Sequence, residues 1–221
     1  MVRYIFLVLL AIVTVWHLAD SWRDDSRARK RTKPFLLLFI LLYYIASADV
    51  LSWFLIAALV TSWLGDLLLM PTGNKWFVMG GISFMFSHFL FIAVYAKQVN
   101  FHHILWCAVI PAAIVYYGVS LWIIRTLTPS TPKMMLAPMY VYLLANSTMN
   151  VFSLMQLLET RSVGAVVAFI GAVLFFISDC TLYLVRYHKN KDLIFKRHFT
   201  VMWTYVVGEF MITQGVLMLQ S

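Results

Sequence analysis

Four ionisable residues interrupt the long apolar stretches of the sequence: Asp66, His88, Asp179 and Glu209. An ionisable side chain at the depth of a bilayer costs roughly a few kcal/mol, so it is kept there for a task or a partner. The three acids have few cations to neutralise them, only His88 nearby and Arg186 at a rim. At least one acid is therefore expected to hold its proton at neutral pH while a neighbour has lost its own. A neutral carboxyl beside a carboxylate is suited to acid–base catalysis. Asp66 and Asp179 are the foremost candidates for that work, with Glu209 and His88 beside them.

Helical spacing gives most of these residues polar company. Ser62 precedes Asp66 by one turn; Tyr142, Asn146 and Asn150 recur every fourth residue; Tyr205, Glu209 and Thr213 do the same; Tyr183 and Arg186 share the face of Asp179. Stripes of this kind should face protein or water, not lipid. His88 differs, because Phe84, Met85, Phe91 and Ile92 surround it on its helix, Tyr95 adds one polar group seven residues on, and Ser83 and Ser87 stand at poorer angles. The plain alternative for the Ser, Thr and Asn positions is that they join helices through hydrogen bonds. A metal centre is the rival use of the acids. Zinc prefers several His or Cys ligands, whereas this interior offers one deep histidine, and Cys107 and Cys180 have no CxxC spacing. No metal, cofactor or disulfide is expected.

The elements that must position these residues follow from composition. With 62% hydrophobic and 12% charged residues in 221, the chain has more apolar surface than one soluble core can hide, and it reads as a membrane protein. Its net charge of +8 does not point to nucleic acid, because the basic residues cluster in short loops between apolar runs. The start, Met1 to Arg3 and an apolar run, resembles a signal peptide, but His17-Leu18-Ala19-Asp20 follows without a small-x-small cleavage pattern. It is taken as the first span.

About 20 apolar residues cross a bilayer, and eight spans are expected: 2–19, 34–48, 50–70, 75–97, 103–124, 134–158, 162–186 and 198–218. Asp49 would cap the third. The odd-to-even loops hold 14 of the 17 Lys and Arg: Arg23, Arg27, Arg29, Lys30, Arg31, Lys33, Lys75, Arg125, Lys133, Arg186, Lys189, Lys191, Lys196 and Arg197. Only Arg3, Lys97 and Arg161 lie opposite, so those loops are expected to be cytoplasmic and both termini outside. No linker or low-complexity tract intervenes, which predicts a single integral membrane domain, 1–221. The fold class is an all-α polytopic bundle of eight transmembrane helices.

Gly164, Ala168 and Ala172 form a small-residue stripe and predict a close helix seam. A parallel four-plus-four repeat is suggested by Gly65-Asp66 against Ser178-Asp179, and by Ser87-His88-Phe89 against Gly208-Glu209-Phe210. Asp66 would lie about four residues, roughly 6 Å, inside the cytoplasmic end of its span, and Asp179 about seven residues, roughly 10 Å. One cytoplasmic cavity is expected, with the aspartates near its mouth and His88 and Glu209 at its floor.

Three segments resemble the signature stretches of the YhhN-like lysoplasmalogenase family. They are Gly65-Asp66 with Leu67 to Leu69; Phe77-x-x-Gly80 running through Ser83-Phe84-Met85-Phe86-Ser87-His88 to Tyr95; and Gly171-Ala172-x-Leu174-Phe175-x-x-Ser178-Asp179. Lys33-Pro34 resembles the family's Lys-Pro start of the second helix, and the eight-span layout is similar. Glu209 stands where the family usually has Gln.

The resemblance implies hydrolysis of the vinyl-ether bond of lysoplasmalogens to a fatty aldehyde and a glycerophospho-base. Its partners would be a lysophospholipid substrate and membrane lipids, in a bacterial inner membrane. An enol ether is cleaved by protonation at carbon, giving an oxocarbenium ion that water captures, and two carboxyls in different protonation states can serve it. Asp66 or Asp179 would donate the proton while the other orients water, and His88 could relay protons. Lys33, Lys75 and Arg186 could hold the phosphate. Tyr142, Asn146, Tyr183 and Tyr205 would line the substrate site. A small proton-coupled transporter and a lipid-binding protein without turnover are the alternatives that intramembrane acids also fit.

Overall fold

The computed structural model describes residues 2–190 and 192–220. Met1, Ser221 and Lys191, the last counted above among the cytoplasmic loop charges, lie outside the described residues. Within those residues the chain forms eight α-helices: α1 (Val2–Trp22), α2 (Ser26–Ser47), α3 (Trp53–Leu68), α4 (Asn74–Ala96), α5 (Trp106–Leu127), α6 (Lys133–Thr160), α7 (Val163–Tyr187) and α8 (Arg197–Gln220). A single 3-10 turn, Thr128–Ser130, joins α5 to α6.

Six helices, α1 and α4 to α8, are long and apolar enough to cross a membrane. The chain is an integral membrane protein. The other two depart from the expected spans for local reasons. The sequence predicts α2 from residue 34, but it starts at Ser26, because the Asp25 carboxylate caps it by accepting from the amides of Arg27 (2.9 Å) and Ala28 (3.1 Å). Those two amide donors hold Asp25 below the usual carboxylate range. The basic run is therefore helical, and the helix continues through Pro34, whose carbonyl accepts from the Trp63 indole at 2.8 Å. The third helix is only 16 residues long and is capped by Ser52 rather than by Asp49. Between α3 and α4, Gly73 takes φ +118°, which a turn can ask of glycine at little cost.

Helices α6, α7 and α8 are the most enclosed, while α1 and α5 turn long apolar faces outward, among them Ile5, Val8 and Ile12 of α1 and Ile114 and Val115 of α5. The tightest pairing is α7 against α8. A Cβ on Gly215 would stand 2.5 Å from both the Ala168 nitrogen and the Gly164 oxygen, and one on Gly171 would stand 2.6 Å from the Ile212 nitrogen. The expected stripe of Gly164, Ala168 and Ala172 is thus part of a seam that α8 completes with its own Gly208 and Gly215. Without a hydrophobic drive between helices in lipid, such close backbone contact is what joins them. The four-plus-four repeat is unconfirmed: α2 packs on α8 as α6 does on α4, but α1 packs on α8 and its would-be counterpart α5 on α7.

Substituting Gly215 by Leu should separate α7 from α8 and lower stability by about 3 kcal/mol or more through overpacking. Gly118→Ala, where a Cβ meets nothing within 4 Å, should be neutral or slightly stabilising. Thermal unfolding in detergent, followed by tryptophan fluorescence, distinguishes the two.

Candidate active site

Six helices line one cavity of about 400 Å³ at the end of the bundle where α1 stops and α8 begins. From α2 come Ser26, Arg29, Lys30 and Lys33, spaced i, i+3, i+4 and i+7 on one face. From α7 come Ser178, Asp179, Leu182, Val185 and Arg186, and from α8 Arg197, His198, Val201, Met202 and Tyr205, again each on one face. Asp66 with the turn after α3, Phe77 and Phe84 of α4, and His17 of α1 close the wall.

Asp66 and Asp179 both line this cavity, and both are almost wholly buried, at 1% and 4% exposure. Their surroundings differ. Asp66 has a partner on each oxygen: Lys33 Nζ stands 3.1 Å from Oδ1, and the Tyr205 hydroxyl donates to Oδ2 at 2.9 Å. Lys33 neutralises it directly. Around Asp179 every described contact converges on Oδ2. The Tyr142 hydroxyl donates at 2.8 Å, Asn146 Nδ2 donates at 2.7 Å, and His88 Nε2 approaches to 3.2 Å without the alignment of a hydrogen bond. Asn150 Nδ2 donates to Asn146 Oδ1 at 3.1 Å, which fixes the Asn146 amide with its nitrogen toward Asp179. Oδ1 of Asp179 is the oxygen left for the cavity.

The neighbouring residues of each aspartate have structural work of their own. Gly65 makes room for the Phe84 ring, which would meet a Cβ there at 2.6 Å, so the aromatic wall of the cavity depends on the residue before Asp66. Ser178 donates to the Val201 carbonyl at 2.9 Å and ties α7 to α8 beside Asp179.

His88 and Glu209 do not line the cavity. Both are fully buried behind it, so the sequence-based placement at the cavity floor is corrected: the floor is Asp66, Asp179 and Phe84, and these two lie beneath. His88 packs edge-on against Tyr142 and Phe175, with ring centroids 5.2 and 5.0 Å apart. The apolar neighbours on its own helix gave no sign of Asp179, which reaches it from α7. Glu209 lies near the Ser62 hydroxyl, and among the described residues neither of its carboxyl oxygens has a well-aligned hydrogen-bond partner.

Of the expected substrate contacts, Lys33, Arg186 and Tyr205 line the cavity, while Tyr142 and Asn146 hold Asp179. Arg186 donates to Asn74 Oδ1 at 3.0 Å and covers the Phe77 ring at 3.9 Å. Tyr183 lines a second hollow instead, an apolar groove of about 320 Å³ between α4 and α6. Phe77 borders both spaces, and the Tyr142 ring lines the groove while its hydroxyl holds Asp179. Lys75 lies outside the cavity. The sequence-based site does not include the cavity residues His17, Ser26, Arg29, Lys30, Arg197 and His198. Arg29, Lys30 and Arg197 read as loop charge, because hydropathy alone places the starts of α2 and α8 after them. A further acid, Asp20, is buried near the end of α1.

The comparison with family models matches residues 28–216 to the YhhN family. The chain belongs to the YhhN family. Neither curated proteins nor solved structures give a match. The match takes in all of α3 to α7 and ends within α8, so it spans both cavity aspartates and their donors but not α1 with His17.

In this YhhN protein Lys33→Met should cost roughly 3 kcal/mol, because it leaves the buried Asp66 carboxylate without its cation. The double variant Lys33→Met with Asp66→Asn should regain most of that loss. A double-mutant cycle on unfolding midpoints measures it.

Proposed function

We propose that this YhhN protein hydrolyses the vinyl-ether bond of lysoplasmalogens, releasing a fatty aldehyde and a glycerophospho-base. The observation that carries the reading is the unequal pair of aspartates in one cavity. Asp66 is a carboxylate neutralised by Lys33. Asp179 receives its donors on Oδ2 alone, so when it is protonated the proton sits on Oδ1, facing the cavity.

The chemistry runs in three steps. Asp179 Oδ1 gives its proton to the outer carbon of the vinyl ether, which turns the inner carbon and its oxygen into an oxocarbenium ion. The Asp66 carboxylate stabilises that cation and takes a proton from water as the water oxygen bonds to the inner carbon. In the resulting hemiacetal, Asp66 returns a proton to the ether oxygen and Asp179 takes the hydroxyl proton. The carbon–oxygen bond to glycerol then breaks and both acids are restored. One water is consumed and no cofactor is required. His88, Tyr142 and Asn146 are positioning residues, since they hold Asp179 and touch no reacting atom.

The apolar groove between α4 and α6 suits the alkenyl chain, which begins at the carbon that Asp179 protonates and passes Phe77. The basic loop residues support a bacterial inner membrane with the cavity mouth cytoplasmic and both termini on the other side.

Purified protein given a lysoplasmalogen should release aldehyde, and Asp179→Asn and Asp66→Asn should each lower the rate by about 10²-fold or more. A folded wild type that releases none defeats the reading. Gly81→Phe fills the groove at a position where a Cβ meets nothing within 4 Å. It should lower kcat/KM for long alkenyl chains more than for short ones, as a chain-length series would reveal.

A further inference from the structure

His17 lines the cavity, is buried at 1% exposure and takes no part in the proposed reaction. Its Nδ1 is 2.7 Å from the Thr32 hydroxyl, and its Nε2 is buried with no hydrogen-bond partner. A buried nitrogen of this kind is costly unless something meets it. Arg29 and Lys33 of α2 are close enough to act on it, and Lys30 of α2 with Arg197 and His198 of α8 line the same cavity. Lys33 is already held by Asp66, and Arg29 is pinned toward the rim by Asp24 at 2.8 Å. Asp24 is outside the cavity, as is the buried Asp20 one turn after His17, and the acids that line it are Asp66, held by Lys33, and Asp179.

We propose that this α1, α2 and α8 end of the cavity is a phosphate subsite. His17 Nε2 donates to the phosphodiester of a single-chain lipid, and Arg29, Lys30 and Arg197 neutralise its charge. The Thr32 hydroxyl donates to the Arg29 carbonyl at 3.3 Å, and an anion at Nε2 would turn that proton to Nδ1 and place the His17 proton on Nε2. Thr32 is thus the positioning residue for His17. The subsite is separate from Arg186, which Asn74 and the Phe77 ring engage at the opposite wall. It sets the direction of the substrate, phosphate toward α1 and α8 and chain toward Phe77. The inference rests on the reading of the cavity as a lysophospholipid site, yet it is measured without turnover.

The test uses a saturated 1-O-alkyl lysophosphocholine, which has no vinyl ether to cleave, and the matching 1-O-alkylglycerol, which has no phosphate. Both are titrated into the purified protein in mixed micelles at equal mole fraction, and binding is followed by tryptophan fluorescence. The wild type should bind the phosphate-bearing lipid roughly tenfold or more tightly, as one hydrogen bond to a charged group provides. His17→Ala should remove that preference and leave alkylglycerol binding unchanged. Arg197→Gln, at the mouth and outside the reaction proper, should reduce it as well, so the subsite is tested even if His17→Ala does not fold. Equal affinity of the wild type for the two lipids overturns the proposal. Inorganic phosphate alone, if it binds as tightly as the lipid and in a His17-dependent way, overturns the assignment to a lipid headgroup. A phosphate preference without aldehyde release from a lysoplasmalogen leaves the subsite standing and defeats the hydrolase reading.

Discussion

The fold is governed by the need to keep two carboxyl groups out of water without leaving them alone. A charge or a polar group taken into an apolar interior costs more than the fold can spare unless donors meet it. Asp66 and Asp179 are met from four different helices: Lys33 on α2 and Tyr205 on α8 for the first, Tyr142 and Asn146 on α6 for the second, with His88 on α4 in close approach. No two of these helices are consecutive in the chain. Satisfying the acids therefore fixes how both halves of the bundle stand to each other, and the cavity is the gap that remains between the two satisfied sites.

The close seam between α7 and α8 is the second condition. It holds the Asp179 helix against the Tyr205 helix at backbone distance, so that one wall of the cavity is rigid. Ser178 adds a hydrogen bond to the Val201 carbonyl at the level of the acids, where the glycine stripe has ended. A hydroxyl bonded to a carbonyl is worth little in the gross energy of folding, but it ties the helix of Asp179 to α8 at the residue next to the acid.

Much of this was legible in the sequence, and the limits are physical. The membrane class, the helix number and the two aspartates follow from hydropathy and from the cost of charge in lipid, which are local properties. The stripes Tyr142-Asn146-Asn150 and Tyr205-Glu209 could be read as polar faces, and they proved to supply donors. Their targets could not be read, because a helical face shows what it presents and not what it meets; His88 looked apolar for that reason. Boundaries set by hydropathy alone hid Arg29 and Lys30. A basic helix turn and a basic loop have the same composition, and it took the Asp25 cap to reveal which one this is.

The cavity has a sense of direction that neither aspartate could give it. Its α2 and α8 walls carry most of its cations, whereas Phe77, Leu182 and Val185 line the side toward α4 and α7, where Arg186 covers the Phe77 ring, and Phe77 also borders an apolar groove. A lysophospholipid has the same polarity along its length, with only a glycerol between its phosphate and its ether oxygen. A molecule laid along that gradient brings its ether to the stretch of wall between the cations and Phe77, and Asp66 and Asp179 are the acids that line the cavity. In the proposed reaction, placement of the bond would come from matching the two ends, with no need for a specific contact to the ether itself. That division would suit the proposed chemistry: before protonation a vinyl ether offers little to bind, and the charge that the acids would recognise arises only in the transition state.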